Sequence, residues 1–384
     1  GSIWFVDLRS GGRPFANFAQ PNNLAIFLCM GLAGVLYFFE IRRLGGWSAS
    51  LLAAFLIFGV ALTQSRTPWV VALVVCVFWF FKGRSIAVRL PLPALLVWVC
   101  LYAVLVMALP WIAELLLLHT EDPLMRAQAM HRLDLWQQLA IAVVQGPWWG
   151  YGWNQVSIAQ VSVSAQVPVE LMTEHSHNIL LDVLLWNGPW LGALLITLVG
   201  AWFVWLLVKV TRPEAMFAAL AALCLLVHGL LEYPLEYAFF LLPMGVLLGA
   251  TALPGLERWR LYIPRVPAIV LLAASFGLFA WVWQEYRIIE EDSRLMRFET
   301  AGIGFLAAEQ AAPDVVLLTQ LREFTRFART QASEGMPQAQ LDWMGQVTRR
   351  YPYPPSLFRY ALALGLNGQP EAARQQLQVL KSLH

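Results

Sequence analysis

Charge is what this sequence has least of. Only 13% of its 384 residues are charged, against about a quarter in an ordinary soluble chain. That deficit excludes a surface bathed in water on every side. A formal net charge of +2 supplies no basic field for nucleic acid, and none is expected as a partner. Cysteine is scarce too. Cys29, Cys76, Cys100 and Cys224 all sit inside apolar runs, so there is neither a disulfide framework nor a C-x-x-C metal pattern. No stretch at the start reads as a cleavable signal peptide. No repeat period runs through the C-terminal part.

What is present is apolar. Hydrophobic residues make up 59% of the chain, with 18 Trp and 22 Phe. Runs of near-spanning length recur at 24–39, 47–63, 68–81, 92–109, 188–208, 215–231, 237–253 and 266–283. Several are shorter than the roughly 20 residues needed to cross a bilayer, so flanking Trp and Tyr must complete them. The expectation is an all-α polytopic bundle of about eight spans. The last hundred residues differ, holding 11 basic and 11 acidic side chains. The chain thus divides into a membrane domain, 1–284, and a C-terminal helical domain, 285–384. Within the latter, residues 354–380 read as a helical hairpin of tetratricopeptide type.

The remaining basic residues sort by side. Arg42, Arg43, Lys82, Arg84, Arg89, Lys209, Arg212, Arg258, Arg260 and Arg265 fall in four alternate loops, which the positive-inside rule makes cytoplasmic. The start, the turn at 64–68, the loop 110–177, the turn at 229–236 and the tail then face outward. Outward arginines are kept for a reason. Headgroup contact suits Arg9 and Arg13, whereas Arg66 and Arg132 are candidates for an anionic ligand.

The outer loop is too long to be a mere connection. Leu133, Trp136, Leu139, Ala140, Val143 and Val144 recur at helical spacing, which predicts an amphipathic helix in the membrane interface. Arg126, His131 and Arg132 fall at or before its start, where amides and cations together would favour an anion. GPWWGYGW (146–153) then interrupts it, as interface packing or as a stacking surface for a sugar.

Five of six histidines (119, 131, 175, 177 and 228) lie on the outer side or at an outer helix end. THE stretch TEHSHN (173–178) closes the loop at the lip of an apolar run. On a helix His175 and His177 would point apart, so only one would reach a given group. No third ligand stands at usual metal spacing. The alternatives are helix-end structure and a general base for a hydroxyl. HGLLEYPLEY (228–237) sets His228 and Glu232 one turn apart, either fixing a helix end or serving function at membrane depth.

These segments together resemble the bacterial O-antigen ligase, O-antigen polymerase and pilin O-oligosaccharyltransferase superfamily, from about Arg13 to Leu253. FANFAQPNNLA (15–25) is similar to the glutamine–proline–asparagine segment of the oligosaccharyltransferase branch. TQSRTPW (63–69) resembles the family's serine–arginine–threonine turn. RLDLWQQ with GPWWGYGWNQ (132–155) resembles the arginine helix and glycine–aromatic turn of its periplasmic loop. HSHN with Gly188 resembles the ligase pattern of histidine, small amide, nine residues and glycine. HGLLEYPLEY resembles a further segment of the oligosaccharyltransferase branch. One departure is Leu191, where the ligase pattern wants Gly, Thr or Tyr. Members also carry further spans ahead of the glutamine–proline–asparagine segment.

The resemblance implies an enzyme of the bacterial inner membrane, without cofactor or metal. It would pass a glycan with inversion from undecaprenyl pyrophosphate to a hydroxyl at the periplasmic face. His177 aligns with the family's catalytic histidine, with His175 in support. Arg66, Arg132 and Arg126 would serve the pyrophosphate, and Gln20, Asn22, Asn178, His228 and Glu232 the rest of the substrate site. A protein acceptor such as a pilin is favoured over lipopolysaccharide ligation or polymerisation. A lipid-linked glycan transporter without chemistry is the reading of another class, and mid-spans nearly free of charge count against it.

Overall fold

A computed structural model of the protein describes residues 12–83, 86, 88–115, 128–251, 263–300, 303 and 312–384. Arg9, Arg84, His119, Arg126, Arg258 and Arg260 lie outside the described residues, and of His131 only the backbone is described. Every regular element among the described residues is helical. Four helices are long and apolar enough to cross a membrane: α1 (Pro21–Glu40), α4 (Leu92–Leu115), α7 (Ile179–Lys209) and α10 (Arg265–Thr300). Four of the expected runs form shorter apolar helices: α2 (Gly46–Leu62), α3 (Thr67–Lys82), α8 (Pro213–Gly229) and α9 (Ala238–Ala250). The rest are α5 (Gln128–Gln145), α6 (Val156–Val163), α11 (Thr319–Arg329), α12 (Gln338–Arg350), α13 (Pro354–Leu366) and α14 (Pro370–Leu383).

The helices group into two compact units. The first comprises Gly1–Leu133, His175–Leu184 and Trp190–Arg258. Its centre is α8, where 13 of 17 residues are buried. A helix apolar on every face belongs inside a bundle, and Ala218, Ala219, Ala221 and Ala222 let neighbours approach closely. Ile26 of α1, Val60 of α2, Val71 of α3, Tyr102 of α4 and Phe240 of α9 pack with it in one core. An apolar cavity of about 570 Å³ lies in this unit, lined by Cys29, Ile57, Val71, Trp98, Tyr102 and Cys224 among others. Pro21, Pro68 and Pro213 each open a helix in its first turn, where the missing N–H costs nothing. The turn between α2 and α3 ties itself off: Thr63 Oγ1 donates to Val60 O at 2.7 Å and accepts from Ser65 N–H at 3.2 Å.

The second unit comprises Asp134–Glu174, Leu185–Pro189 and Trp259–His384. Here α13 and α14 are joined by a short turn in which Gly368 takes φ +75° and Gln369 N–H closes on Leu364 O at 2.9 Å, the usual glycine stop for a helix. The long helix α10 has a 36-residue run, about 54 Å at 1.5 Å per residue. The Glu285 carboxylate accepts the N–H groups of Val316, Leu317 and Leu318 at 2.8–2.9 Å, which anchors the lead-in to α11.

The face that α5 buries differs from the expected one. Leu135, Gln138, Leu139 and Ala142 are fully buried, while Leu133 and Val144 are exposed. Gln138 turns inward because its amide is satisfied there, donating to Val167 O and accepting from Gln160 Nε2 at 3.0 Å. A paired glutamine can be buried where a lone one cannot. The helix also starts earlier than expected, at Gln128, so Arg132 stands in its second turn rather than at its open N-terminus.

Candidate active site

Three separate segments of the first unit meet on one carboxylate carried by a fourth. Glu232 is 2% exposed and lies just past the end of α8, its N–H still bonded to His228 O at 2.8 Å. Its Oε1 accepts from Asn22 Nδ2 at 2.8 Å, at the start of α1, and from Arg132 Nη2 of α5. Its Oε2 sits 2.7 Å from His177 Nδ1. Burial pushes the Glu232 carboxyl up, but the hydrogen bond with His177 and the charge of Arg132 more than offset this and hold it at about 2. The carboxylate is therefore ionised and can only accept. That assigns the proton: His177 donates from Nδ1, and Nε2 of the neutral ring carries the lone pair. Among the described residues Nε2 takes no hydrogen bond, and the side chain is 25% exposed.

A second tier holds these groups. Asn22 Oδ1 accepts from Ser65 Oγ at 2.8 Å and from Arg13 Nη2 at 3.3 Å, while Arg13 Nε reaches Thr63 O at 2.8 Å. Arg132 Nη1 also binds Leu231 O at 3.1 Å. Beside them, His228 is fully buried with Nε2 2.9 Å from Asn23 Oδ1. Asn23 Nδ2 is committed to Phe18 O at 2.9 Å, so Oδ1 is the acceptor and His228 donates from Nε2. Gln20 Nε2 lies 3.5 Å from the same Asn23 oxygen.

The histidine segment is not helical, contrary to the expectation that its two rings diverge on a helix. Asn178 caps α7, its Oδ1 accepting from Leu180 N–H at 3.0 Å and Leu181 N–H at 3.4 Å, and the helix starts only at Ile179. Upstream, Ser176 N–H is held by the Asp182 carboxylate at 2.9 Å. His177 takes φ +58°, a left-handed conformation uncommon outside glycine and kept only where surroundings enforce it. Both rings then flank Tyr233: His175 stacks on it at 4.4 Å, and His177 meets it edge-on at 5.0 Å. Of the residues expected in the site, His177, His175, Arg132, Asn22, Gln20, His228 and Glu232 come together. Asn178 is the cap beside them, and Arg66 is exposed in the turn after Ser65. Arg126 lies outside the described residues. Sequence reasoning missed Tyr233, Ser65 and Asn23, and placed Arg13 at headgroups; the only signal was their presence inside the polar segments already quoted.

Gly188 explains its own position. It breaks α7 with φ +76°, ψ 168°, and in the second unit an added Cβ would stand 2.0 Å from Trp148 O. The carbonyls freed by the break are taken by the aromatic turn: Tyr151 N–H binds Leu185 O at 2.8 Å and Gly152 N–H binds Trp186 O at 3.1 Å. Trp153 stacks on Trp186 at 4.9 Å and its Nε1 donates to Asn187 Oδ1 at 3.2 Å, while Trp148 and Trp149 stay exposed.

Comparison with known proteins covers most of the chain. Residues 51–197 match the family described as O-Antigen ligase, and residues 216–384 match that described as Virulence factor membrane-bound polymerase, C-terminal. A General O-oligosaccharyltransferase of Acinetobacter baylyi is 32% identical over 381 residues, covering 97% of this chain and 66% of the relative. A ComP-specific O-oligosaccharyltransferase of the same organism is 29% identical over 245 residues, 62% of this chain and 44% of the relative. The chain thus spans less than two thirds of the length of either. No solved structure matches. These matches and the apolar helices describe a multi-pass membrane protein.

Proposed function

We propose that this chain belongs to the oligosaccharyltransferase branch of the O-antigen ligase family and transfers a glycan from undecaprenyl pyrophosphate to a Ser or Thr hydroxyl of a pilin or other protein. The observation that carries this reading is the pairing of His177 Nδ1 with the buried, ionised Glu232. That pairing leaves Nε2 as a lone-pair base at an accessible edge, the logic by which a carboxylate fixes a catalytic imidazole.

The step is an inverting displacement. The acceptor O–H gives its proton to His177 Nε2 as its oxygen attacks the anomeric carbon of the glycan. The bond from that carbon to the pyrophosphate oxygen breaks, and the electron pair leaves with the pyrophosphate. Fixed guanidinium charge offsets what develops there, supplied by Arg66, Arg132 and Arg126 in place of a metal. Arg132 has one nitrogen on Glu232, so it both orients the dyad and faces the donor. The apolar cavity of the first unit is suited to the hydrocarbon of such a donor.

The matching topology has eight spans, the four long helices and the four shorter ones, in the bacterial inner membrane. The basic loops are cytoplasmic. The site, the loop 110–177 and the domain 285–384, whose α13–α14 hairpin is of tetratricopeptide type, are periplasmic. The match to an O-antigen ligase over residues 51–197 keeps a saccharide acceptor, by ligation or polymerisation, as the second reading.

The test mixes purified protein with lipid-linked oligosaccharide and either a pilin or a lipopolysaccharide core. A mass-shifted pilin is expected, with His177→Ala losing about 10²–10⁴-fold in rate, the usual contribution of a general base. Modification of the lipopolysaccharide alone would hand the result to the second reading.

A further inference from the structure

We propose that the C-terminal helices α13 and α14 are a positioning element for transfer, fixing the strap 169–174 whose next residues carry the catalytic imidazole. The inference rests on His177 being the base. Residues 169–178 form no helix or strand, so the backbone of the strap must find its partners elsewhere.

Within the second unit it finds them at alternate residues. Val169 N–H donates to Ser382 O of α14 at 3.1 Å. Gln160 of α6, fully buried, clamps the middle from its side chain: Nε2 donates to Leu171 O at 2.7 Å, and Oε1 accepts from Thr173 N–H at 2.9 Å. Met172 packs with Val161 against Leu357 of α13 and Val379 and Leu383 of α14. Last, Tyr353, the residue that opens α13, donates its hydroxyl to Glu174 Oε1 at 2.5 Å. The end of α12, just ahead of Tyr353, is tied to α6, since Ser157 Oγ donates to Arg350 O at 2.8 Å.

Glu174 is one peptide from His175 and three from His177. The left-handed backbone at His177 persists only if the chain on both sides is held. Downstream it is held by the Asn178 cap. Upstream it is held at Ser176, whose N–H binds Asp182, and, ahead of both histidines, by the Tyr353 hydroxyl on Glu174. A base displaced by a fraction of an ångström still binds its substrates but reacts more slowly. The Tyr353 ring packs against Phe324 and Tyr351, so removing the hydroxyl alone leaves the core filled.

The experiment uses the full chain in detergent with a lipid-linked oligosaccharide and a pilin. Tyr353→Phe should lower kcat about tenfold, leave both KM values within about twofold and leave thermal unfolding unchanged. Amide hydrogen exchange across 173–177 should speed several-fold in the same variant. Arg374→Ala, on the exposed side of α14, should behave as wild type in both measurements. Wild-type kcat with unchanged exchange sinks the proposal. So does a loss confined to the acceptor KM, which would make these helices an acceptor-binding part instead. If the wild type transfers nothing, it is the base reading that fails. The exchange comparison then still decides whether Tyr353 holds the strap.

Discussion

Glu232 accepts three donors with two oxygens, and each contact constrains what a substitution can do. Glu232→Gln keeps the shape but brings an NH₂ that can face His177 Nδ1, which favours the tautomer with the proton on Nε2 and removes the base. Turnover should fall on the order of 10³–10⁴-fold, the scale of a tautomer lock, and adding His177→Ala should cost little more. Near-additive losses would show that the two residues act separately. The same carboxylate carries a stability signature. Its folded value of about 2 lies below the ordinary 4.5, so it contributes stability that is complete above the unfolded value and is lost as pH falls through the folded one. The stability gap between wild type and Glu232→Gln should narrow between pH 5 and pH 2 in thermal unfolding scans. A gap independent of pH would remove the ionised-carboxylate argument. The polar segments were legible beforehand because an apolar chain has few places to put charge. Their pairings were not: Asn22 and Glu232 are 210 residues apart and Arg132 and Glu232 are 100 apart, and no local period encodes such a meeting. Tyr233 was overlooked because an aromatic at a membrane edge reads as an anchor.

At the level of elements, helix existence was written plainly and helix detail was not. The apolar runs gave α1–α4 and α7–α10, since length and hydropathy suffice to mark them. The face of α5 escaped because Gln138 is buried by a partner, Gln160, that lies 22 residues away. The break in α7 was hidden in an unbroken apolar run and rests on one residue. Gly188→Ala would force a side chain into a left-handed backbone and against Trp148 O. Misfolding and loss of expressed protein are expected, from a strain of about 1–3 kcal/mol plus the clash. Gly277→Ala in α10 has open space around it and a better helix former in place of glycine, so it should be neutral or slightly stabilising. Expression level and melting temperature of the pair check both; an equally stable Gly188→Ala would mean that the break is not needed.

For the whole molecule the sharpest claim is sidedness. Single cysteines introduced at Ala165 and Ser333, both exposed, should react with a membrane-impermeant thiol reagent in intact cells, and one at Ser85 should not; labelling at Ser85 from outside would invert the topology. The site also has a history built into its connectivity. Asn22 emerges from the ribosome 210 residues before Glu232, which is roughly 10–40 s at 5–20 residues per second. Throughout that interval Asn22 of α1 waits for the carboxylate it pairs with. On the proposed function, a partly made chain would be inert toward a donor in the bilayer until the turn after α8 is delivered.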